Sequence, residues 1–584
     1  MEYDIESNVD SLATVLCWGQ FITPYYQRPY AWEPENVKHL LEDVDKCISG
    51  GKPHHFLGTL MFVPLSDDKL EIIDGQQRIA TFMLICAYLC KSLKESGHSS
   101  NEGKVMRVAF VLNEMHNKTM EHATQLNLRV MLSENDNITY ESLMRGEISA
   151  NGKLGAVWET MESFFSRPEY NKPEKQDEFL LFFLQKLKVA WVKFQSSDDS
   201  VTAFETQNTR GAPLNQIQLV CAYFFARLRD SATKSKTVND RINKIRANFN
   251  GRDSEGKFLT YTRCMAQCMY GYLPKDTFSR HLKDHLDTEE KVYNFVKQLA
   301  TPAKIEIFNN ILQGRWDQED FGKLATNAGM NRSKKDISTW LKDLNKHKSV
   351  SITVLFSLMC QYHDNLGSSP IKKKKVAKFT CQSIKLMASF FQRASHSFTG
   401  SFKPSVYEQN AANLAVKIHN REVKDAPEFL KALASFDKNK DIIENAPYIE
   451  RMKQASFTTK AKVKVAGDIL IRINDKKQPG LSYKDITAEH VLPKSTNYKE
   501  WGFKIDDHNV YAHRLGNFAL CPPDDILSTL EYNANFKAKQ AFYAKSTYDI
   551  TKKLKDVKKW DVNAIEERQK ELAKDAAKVW NFKI

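Results

Sequence analysis

Leu70-Glu-Ile-Ile73 is a short apolar run, and Asp74-Gly-Gln-Gln-Arg78 follows it directly. From Gln76 to Lys94 the apolar residues take helical spacing, with Ile79, Met83, Ala87 and Cys90 on one face. A strand therefore gives way to a long helix at Gly75. Helix N-termini carry unsatisfied N–H groups and the positive end of the helix dipole, so such a junction attracts phosphate. Gly75 permits a tight turn and close backbone approach. Arg78 adds a fork of donors for phosphate oxygens, and Asp74 suits a metal-bound water or a ribose hydroxyl. The plainer alternative is a capped helix, with Asp74 as N-cap and Arg78 on the surface.

Outward from this junction the same chemistry recurs. Upstream, Tyr26-Gln-Arg-Pro-Tyr30 and Trp32 put Gln27 and Arg28 among aromatics, ahead of a helix over 34–49 that opens at Pro34. Strands are expected at 55–63, 70–73, 127–132 and 188–194, and helices at 152–165 and 176–187. Downstream, helices at 200–207 and 214–229 flank a turn at Asn208–Gly211, which gathers Glu205, Asn208 and Arg210. Three turns with an Arg and an amide each exceed what turn geometry alone requires. No Gly-x-x-x-x-Gly-Lys-Ser/Thr stretch occurs, which excludes an ordinary P-loop.

The chain has 584 residues, 42% hydrophobic and 11% aromatic, enough for several cores and too apolar for a disordered chain. No apolar run reaches the roughly 18–20 residues of a membrane helix. The acidic start has no apolar h-region, and the ten cysteines mostly sit in apolar runs, so reduced thiols in a cytoplasmic protein are expected. The formal charge of +14 is uneven: residues 1–100 hold 8 basic and 14 acidic side chains, residues 451–584 hold 26 and 17. A basic C-terminal module suits a polyanion. Lys372–Lys375 with Lys378 reads as a helix start or loop facing water. Residues 235–475 are mostly helical in pattern, with candidate linkers at 251–256, 367–370 and 475–480. Cys86/Cys90 and Cys264/Cys268 have helical spacing and apolar neighbours and read as core; His281 and His285 lack the Glu of a zincin helix.

The C-terminal module holds the second constellation. Thr487-Ala-Glu-His-Val-Leu-Pro493 is followed by Arg514-Leu-Gly-Asn-Phe-Ala-Leu520 and Asn533-Ala-Asn-Phe-Lys537. This is the spacing of a ββα-metal nuclease. Phosphodiester hydrolysis needs a base for water and a cation for the phosphate charge. His490 at a strand end supplies a base; Glu489, pointing the other way, reaches a metal; an Asn on the next strand orients the imidazole. A hard oxygen shell suits Mg²⁺ or Mn²⁺.

Taken in order, these motifs resemble the GmrSD family of modification-dependent restriction proteins. The N-terminal match is carried by the Tyr-Gln-Arg-Pro-Tyr-x-Trp stretch, Phe56-Leu-Gly58, Ile-Asp-Gly-Gln-Gln-Arg and Phe-Glu-x-x-Asn-x-Arg-Gly. The resemblance implies a ParB/sulfiredoxin-like domain that binds and hydrolyses a nucleoside triphosphate, GTP or another. Its matched positions are Gln27, Arg28, Asp74, Gly75, Gln76, Gln77, Arg78, Glu205, Asn208, Arg210 and Gly211. In the C-terminal part it implies an HNH nuclease with His490 as general base, Asn517 as its orienting partner, and Glu489 and Asn533 toward the metal. Ser528 stands where the family often has Asn; Asp524 or Asp525 replaces that ligand, Asn533 serves, or metal binding is weak.

The expected fold is α+β and predominantly helical: a ParB-like domain over 1–235, a helical middle over 236–475 and an HNH domain over 476–584. The expected function is nucleotide-dependent cutting of double-stranded, modified phage DNA in anti-phage defence, with a homodimer among the expected assemblies and no membrane partner. Nucleotide state and DNA modification would together gate the nuclease. The competing class is a nucleotide- and DNA-binding regulator whose HNH fold is a non-cutting clamp; a nucleotide hydrolase acting on RNA as a toxin is a third.

Overall fold

The computed structural model describes the chain apart from residues 1–4, 25–29, 67, 99–109, 112–126, 133, 146–151, 196–215, 229–230, 250–252, 332–333, 397–403, 437–441, 495–497 and 523–534. Two compact units emerge: Met1–Leu259 with Lys275–Gln298, and Thr260–Pro274 with Leu299–Ile584. The chain is mostly helical with a small mixed sheet, the α+β class expected. Among the described residues no helix is long and apolar enough to cross a membrane.

The first unit is organised by its sheet. Strands β1 (Ile5–Ser11), β2 (Gln20–Ile22), β3 (His55–Ser66), β4 (Lys69–Asp74), β7 (Val130–Met131) and β8 (Leu187–Phe194) run in the order β1-β8-β3-β4-β2-β7. The β3/β4 pair is antiparallel and the β3/β8 pair parallel. Beneath the sheet lies the helix Gln76–Glu95. Its buried residues, Ile79, Phe82, Met83, Leu84, Ile85, Cys86 and Leu89 among them, go well beyond a single face, which makes it a core helix. Phe82 stacks on Phe183 of the helix Pro173–Lys186 at 4.9 Å. The helix Pro34–Ser49 starts where Pro34 predicts, with a reciprocal cap between Glu33 and Asn36.

The strand expected over 127–132 is broken. Asn127–Leu128 (β6) pairs with Phe110–Val111 (β5) in a separate ladder, while Val130–Met131 joins the main sheet. Arg129 lies between them, buried, and donates from Nη1 to the Gly19 carbonyl at 2.9 Å. That inward tie takes the chain from one ladder to the other. The helices expected near 152–165 and 214–229 appear as Gly152–Phe165 and Gln216–Arg227; the helix and turn expected over 200–211 lie outside the described residues.

The second unit packs the middle helices and the C-terminal module together. Arg393, fully buried on the helix Pro370–His396, donates to the carbonyls of Ile442 at 2.9 Å and Ala577 at 3.0 Å. Burial pushes its guanidinium down to about 10, so it stays charged at neutral pH, with its two terminal nitrogens held by oxygen acceptors. Trp580, just past the amphipathic helix Val562–Val579, is buried with its ring 4.6 Å from that of His396. The Lys372–Lys375 run forms the start of the helix Pro370–His396, largely exposed as expected. Helices also overrun two expected linkers: Ser254–Tyr270 begins within 251–256, and Lys460–Lys477 runs into 475–480.

Candidate functional site

Two polar sites stand out, one in each unit. In the first, β4 ends at Asp74, Gly75 turns at φ 100°, and the helix starts at Gln76. A side chain at Gly75 would collide with Leu60, so glycine is required there twice over. The N-cap position is Gly75, with no side-chain cap and no acidic residue in the first turn. Asp74 therefore does not cap this helix. Its Oδ2 instead accepts from Arg78 Nη2 at 2.8 Å, and both side chains are part-exposed. The helix end keeps its positive character, with a carboxylate–guanidinium pair beside it.

Neighbouring elements fix this pair. Gly58 has φ 108° within a register shift of β3 against β8, and a Cβ there would lie 2.5 Å from Arg78 Nη1. Gly58 is thus the point of β3 on which the Arg78 guanidinium rests. Gln77 accepts the Ala31 N–H at 2.7 Å, and Tyr30 shares a 2.6 Å hydrogen bond with Thr81. Tyr30 and Ala31 are in this way pinned to the first turns of the helix. Gln76 is buried. Gln27, Arg28, Glu205, Asn208 and Arg210 lie outside the described residues.

In the second unit β9 (Thr487–His490) pairs antiparallel with β10 (Phe518–Cys521), Phe518 opposite His490 and Ala519 opposite Glu489. Glu489 and His490 consequently point to opposite faces. The His490 ring lies 4.5 Å from Phe518 and 6.0 Å from His513. Burial pushes the imidazole down to about 4, and His513, Lys494 and Lys539 act in the same direction. The ring is neutral at pH 7, the form a general base needs. Its Nε2 is buried and has no hydrogen-bond partner among the described residues. Glu489 is half-buried; burial raises its carboxyl, against the Thr487 hydroxyl, which donates at 3.2 Å.

Asn517 is completely buried, and its amide is fully engaged. Oδ1 accepts from Leu492 N at 2.8 Å and Trp560 Nε1 at 3.1 Å; Nδ2 donates to the Leu492 and Ala512 carbonyls, both at 2.9 Å. Four partners exhaust an amide. Asn517 thus holds the backbone two residues past His490, and its amide has no donor or acceptor left for the imidazole. Asn535 caps the helix Phe536–Ala544, its side chain accepting from Ala538 N at 3.1 Å. Asn533, Asp524, Asp525 and Ser528 lie outside the described residues. Among the described residues no group of three or more His, Cys, Asp or Glu is placed to hold a metal ion.

Sequence reasoning missed Lys539 and His513. Lys539 is buried on the inward face of its helix one turn before the buried Tyr543. A lysine at a core position of the helical period is the signal that was available. His513 has a buried Nδ1 without a partner among the described residues, and only its proximity to His490 in space draws attention to it.

A mainly helical chain with an uncapped strand–helix junction beside an Asp–Arg pair and a separate histidine on a two-stranded ladder defines an α+β protein with two polar sites. Residues 11–225 match the GmrSD restriction endonuclease N-terminal domain, and residues 442–575 match the GmrSD restriction endonuclease C-terminal domain. The chain belongs to the GmrSD restriction endonuclease family. Membership makes it a restriction endonuclease, and DNA its partner. No curated protein matches the chain.

Proposed function

We propose that the chain is a nucleotide-dependent endonuclease in anti-phage defence that cuts modified DNA at His490. The observation that carries this reading is a half-buried His490 at the end of a strand, whose buried Nε2 has no protein partner among the described residues. In this reading Nε2 takes the proton of the attacking water. Asn517 keeps the strand end in place by holding both polar groups of Leu492. Glu489, with a donor from Asp524, Asp525 or Asn533, would hold a Mg²⁺ or Mn²⁺ ion. Such an ion, when bound, neutralises charge on the phosphate. The test is cleavage of plasmid and modified-phage DNA with either metal and a panel of nucleotides. A wild type that cuts nothing under any combination removes the cutting assignment and leaves the DNA-clamp reading.

The N-terminal site supports triphosphate binding and hydrolysis. The uncapped helix start and Arg78 would take the phosphates, and Asp74 would hold a water or a ribose hydroxyl. Gln27, Arg28, Gln76, Gln77, Glu205, Asn208 and Arg210 are assigned to the same pocket by the family pattern. Asp74→Ala and Arg78→Ala should each lower phosphate release from nucleotide by on the order of 100-fold. Wild-type hydrolysis in both would sink the site.

Gly58→Ala tests the same pocket from below. The added methyl meets Arg78 Nη1 at 2.5 Å, and φ 108° strains any L side chain. Phosphate release should fall about tenfold or more, since a displacement of roughly 1 Å at such a site is costly. Unchanged kinetics would show that the guanidinium position does not matter.

A further inference from the structure

The carbonyls of His490, Val491, Leu492 and Pro493 are each taken by a side chain. Lys539 Nζ donates to His490 O at 3.1 Å and to Val491 O at 3.0 Å. Asn517 donates to Leu492 O at 2.9 Å, and His508 Nε2 donates to Pro493 O at 2.9 Å. Three side chains from three elements therefore hold the four residues that begin with the proposed base. Backbone groups at a strand end ordinarily go to a ladder, to water or to a cap. Here the ladder closes with the Val491 N–H on the Asn517 carbonyl at 2.8 Å, and the four carbonyls from His490 to Pro493 are taken by side chains.

Lys539 is the unusual member. It is 6% exposed and makes no ion pair among the described residues, whereas buried lysines are rare without a charged partner. Burial pushes its ammonium down to about 8, with Glu489 and Cys521 opposing. Its Nζ also lies over the Trp501 ring, 5.7 Å from the centroid. A buried ammonium that spends its donors on two successive carbonyls is an expensive way to stabilise a core. It makes sense as a means of fixing a backbone.

We propose that Lys539 is a positioning residue of the cutting site, fixing the His490–Val491 backbone so that the His490 imidazole keeps its direction. The proposal rests on the reading of His490 as general base. Lys539 would not touch DNA, because its head group is enclosed by the protein.

Lys539→Met keeps the stem and removes the donors; Lys539→Gln keeps two N–H donors without charge. The full chain is used, with wild type and His490→Ala alongside. Three quantities are read: kcat and KM for DNA cleavage, thermal melting, and the ring resonances of His490, assigned by their loss in His490→Ala. The Met variant should lose on the order of 100-fold in kcat with KM unchanged, and its His490 ring signals should shift or broaden. The Gln variant should recover part of both. Wild-type kcat and unmoved ring signals in a folded Met variant overturn the proposal. So does a loss confined to KM with a weaker salt dependence, which would make Lys539 a DNA contact. Should the Met variant not fold, the Gln variant decides by the same readings: unmoved ring signals and wild-type kcat together with Met misfolding mean a purely structural lysine. Should wild type and His490→Ala cut equally, the base assignment has failed, while the ring signals still report whether Lys539 holds that backbone.

Discussion

His490→Ala is expected to abolish DNA cleavage while leaving nucleotide hydrolysis and folding intact. A positioned general base contributes about 10²–10⁴-fold, so cutting should fall by at least about two orders of magnitude. Stability should change little. His490 Nε2 has no protein partner to lose among the described residues, and the side chain's main packing contact is the Phe518 ring at 4.5 Å. The Lys539 and Asn517 bonds go to backbone atoms that alanine retains. The Asp74–Arg78 pair belongs to the other compact unit, so phosphate release should persist. The measurement is a single-turnover cleavage assay beside a phosphate-release assay and a melt. Cutting at the wild-type rate would show that another group activates the water.

Much of this was legible in the chain itself. The period changes at Gly75, so the strand, turn and long helix follow from local pattern, and Pro34 marks a helix start that the structure keeps. The strand–turn–helix logic also fixes the polarity of the helix end at Gly75, because helix ends have a fixed dipole. What was not legible depends on contacts distant in sequence. Gly58 looked like one residue of a motif; its role appears only when Arg78, twenty positions on, lies over it. At the break, Arg129 is tied to the carbonyl of Gly19, which leads into the neighbouring strand β2 but lies 110 positions away in sequence. Asn517 was expected on the strand that follows β9 but ends the tight turn just before β10, and the direction of its amide depends on Trp560 and on a turn at Ala512 that no local period encodes. Lys539 shows the reverse difficulty. Composition counts it as one more basic residue of a DNA-binding module, whereas the fold uses it inside.

Asn517→Ala should act on the fold of the second unit before it acts on chemistry. The side chain closes four hydrogen bonds in a site with no exposure to solvent. Alanine leaves the N–H of Leu492, the carbonyls of Leu492 and Ala512 and the Trp560 indole N–H without that partner. Each unsatisfied buried group costs roughly 1–3 kcal/mol, and even with partial relaxation the loss should reach about 4 kcal/mol. That corresponds to a fall of roughly 6 °C in the melting of this unit. Trp560, stacked on Phe536 at 5.1 Å, gives a fluorescence signal close to the change. Asn517→Asp separates the parts, since it keeps an acceptor for Leu492 N and Trp560 Nε1 but sets a carboxylate against two carbonyl oxygens. It should destabilise as strongly as alanine, because the buried charge gains no cation. A direct hand on the imidazole would give a different pattern: both variants would melt like wild type and lose cutting alone. That result would move Asn517 from holding the backbone of Leu492 to orienting His490 itself.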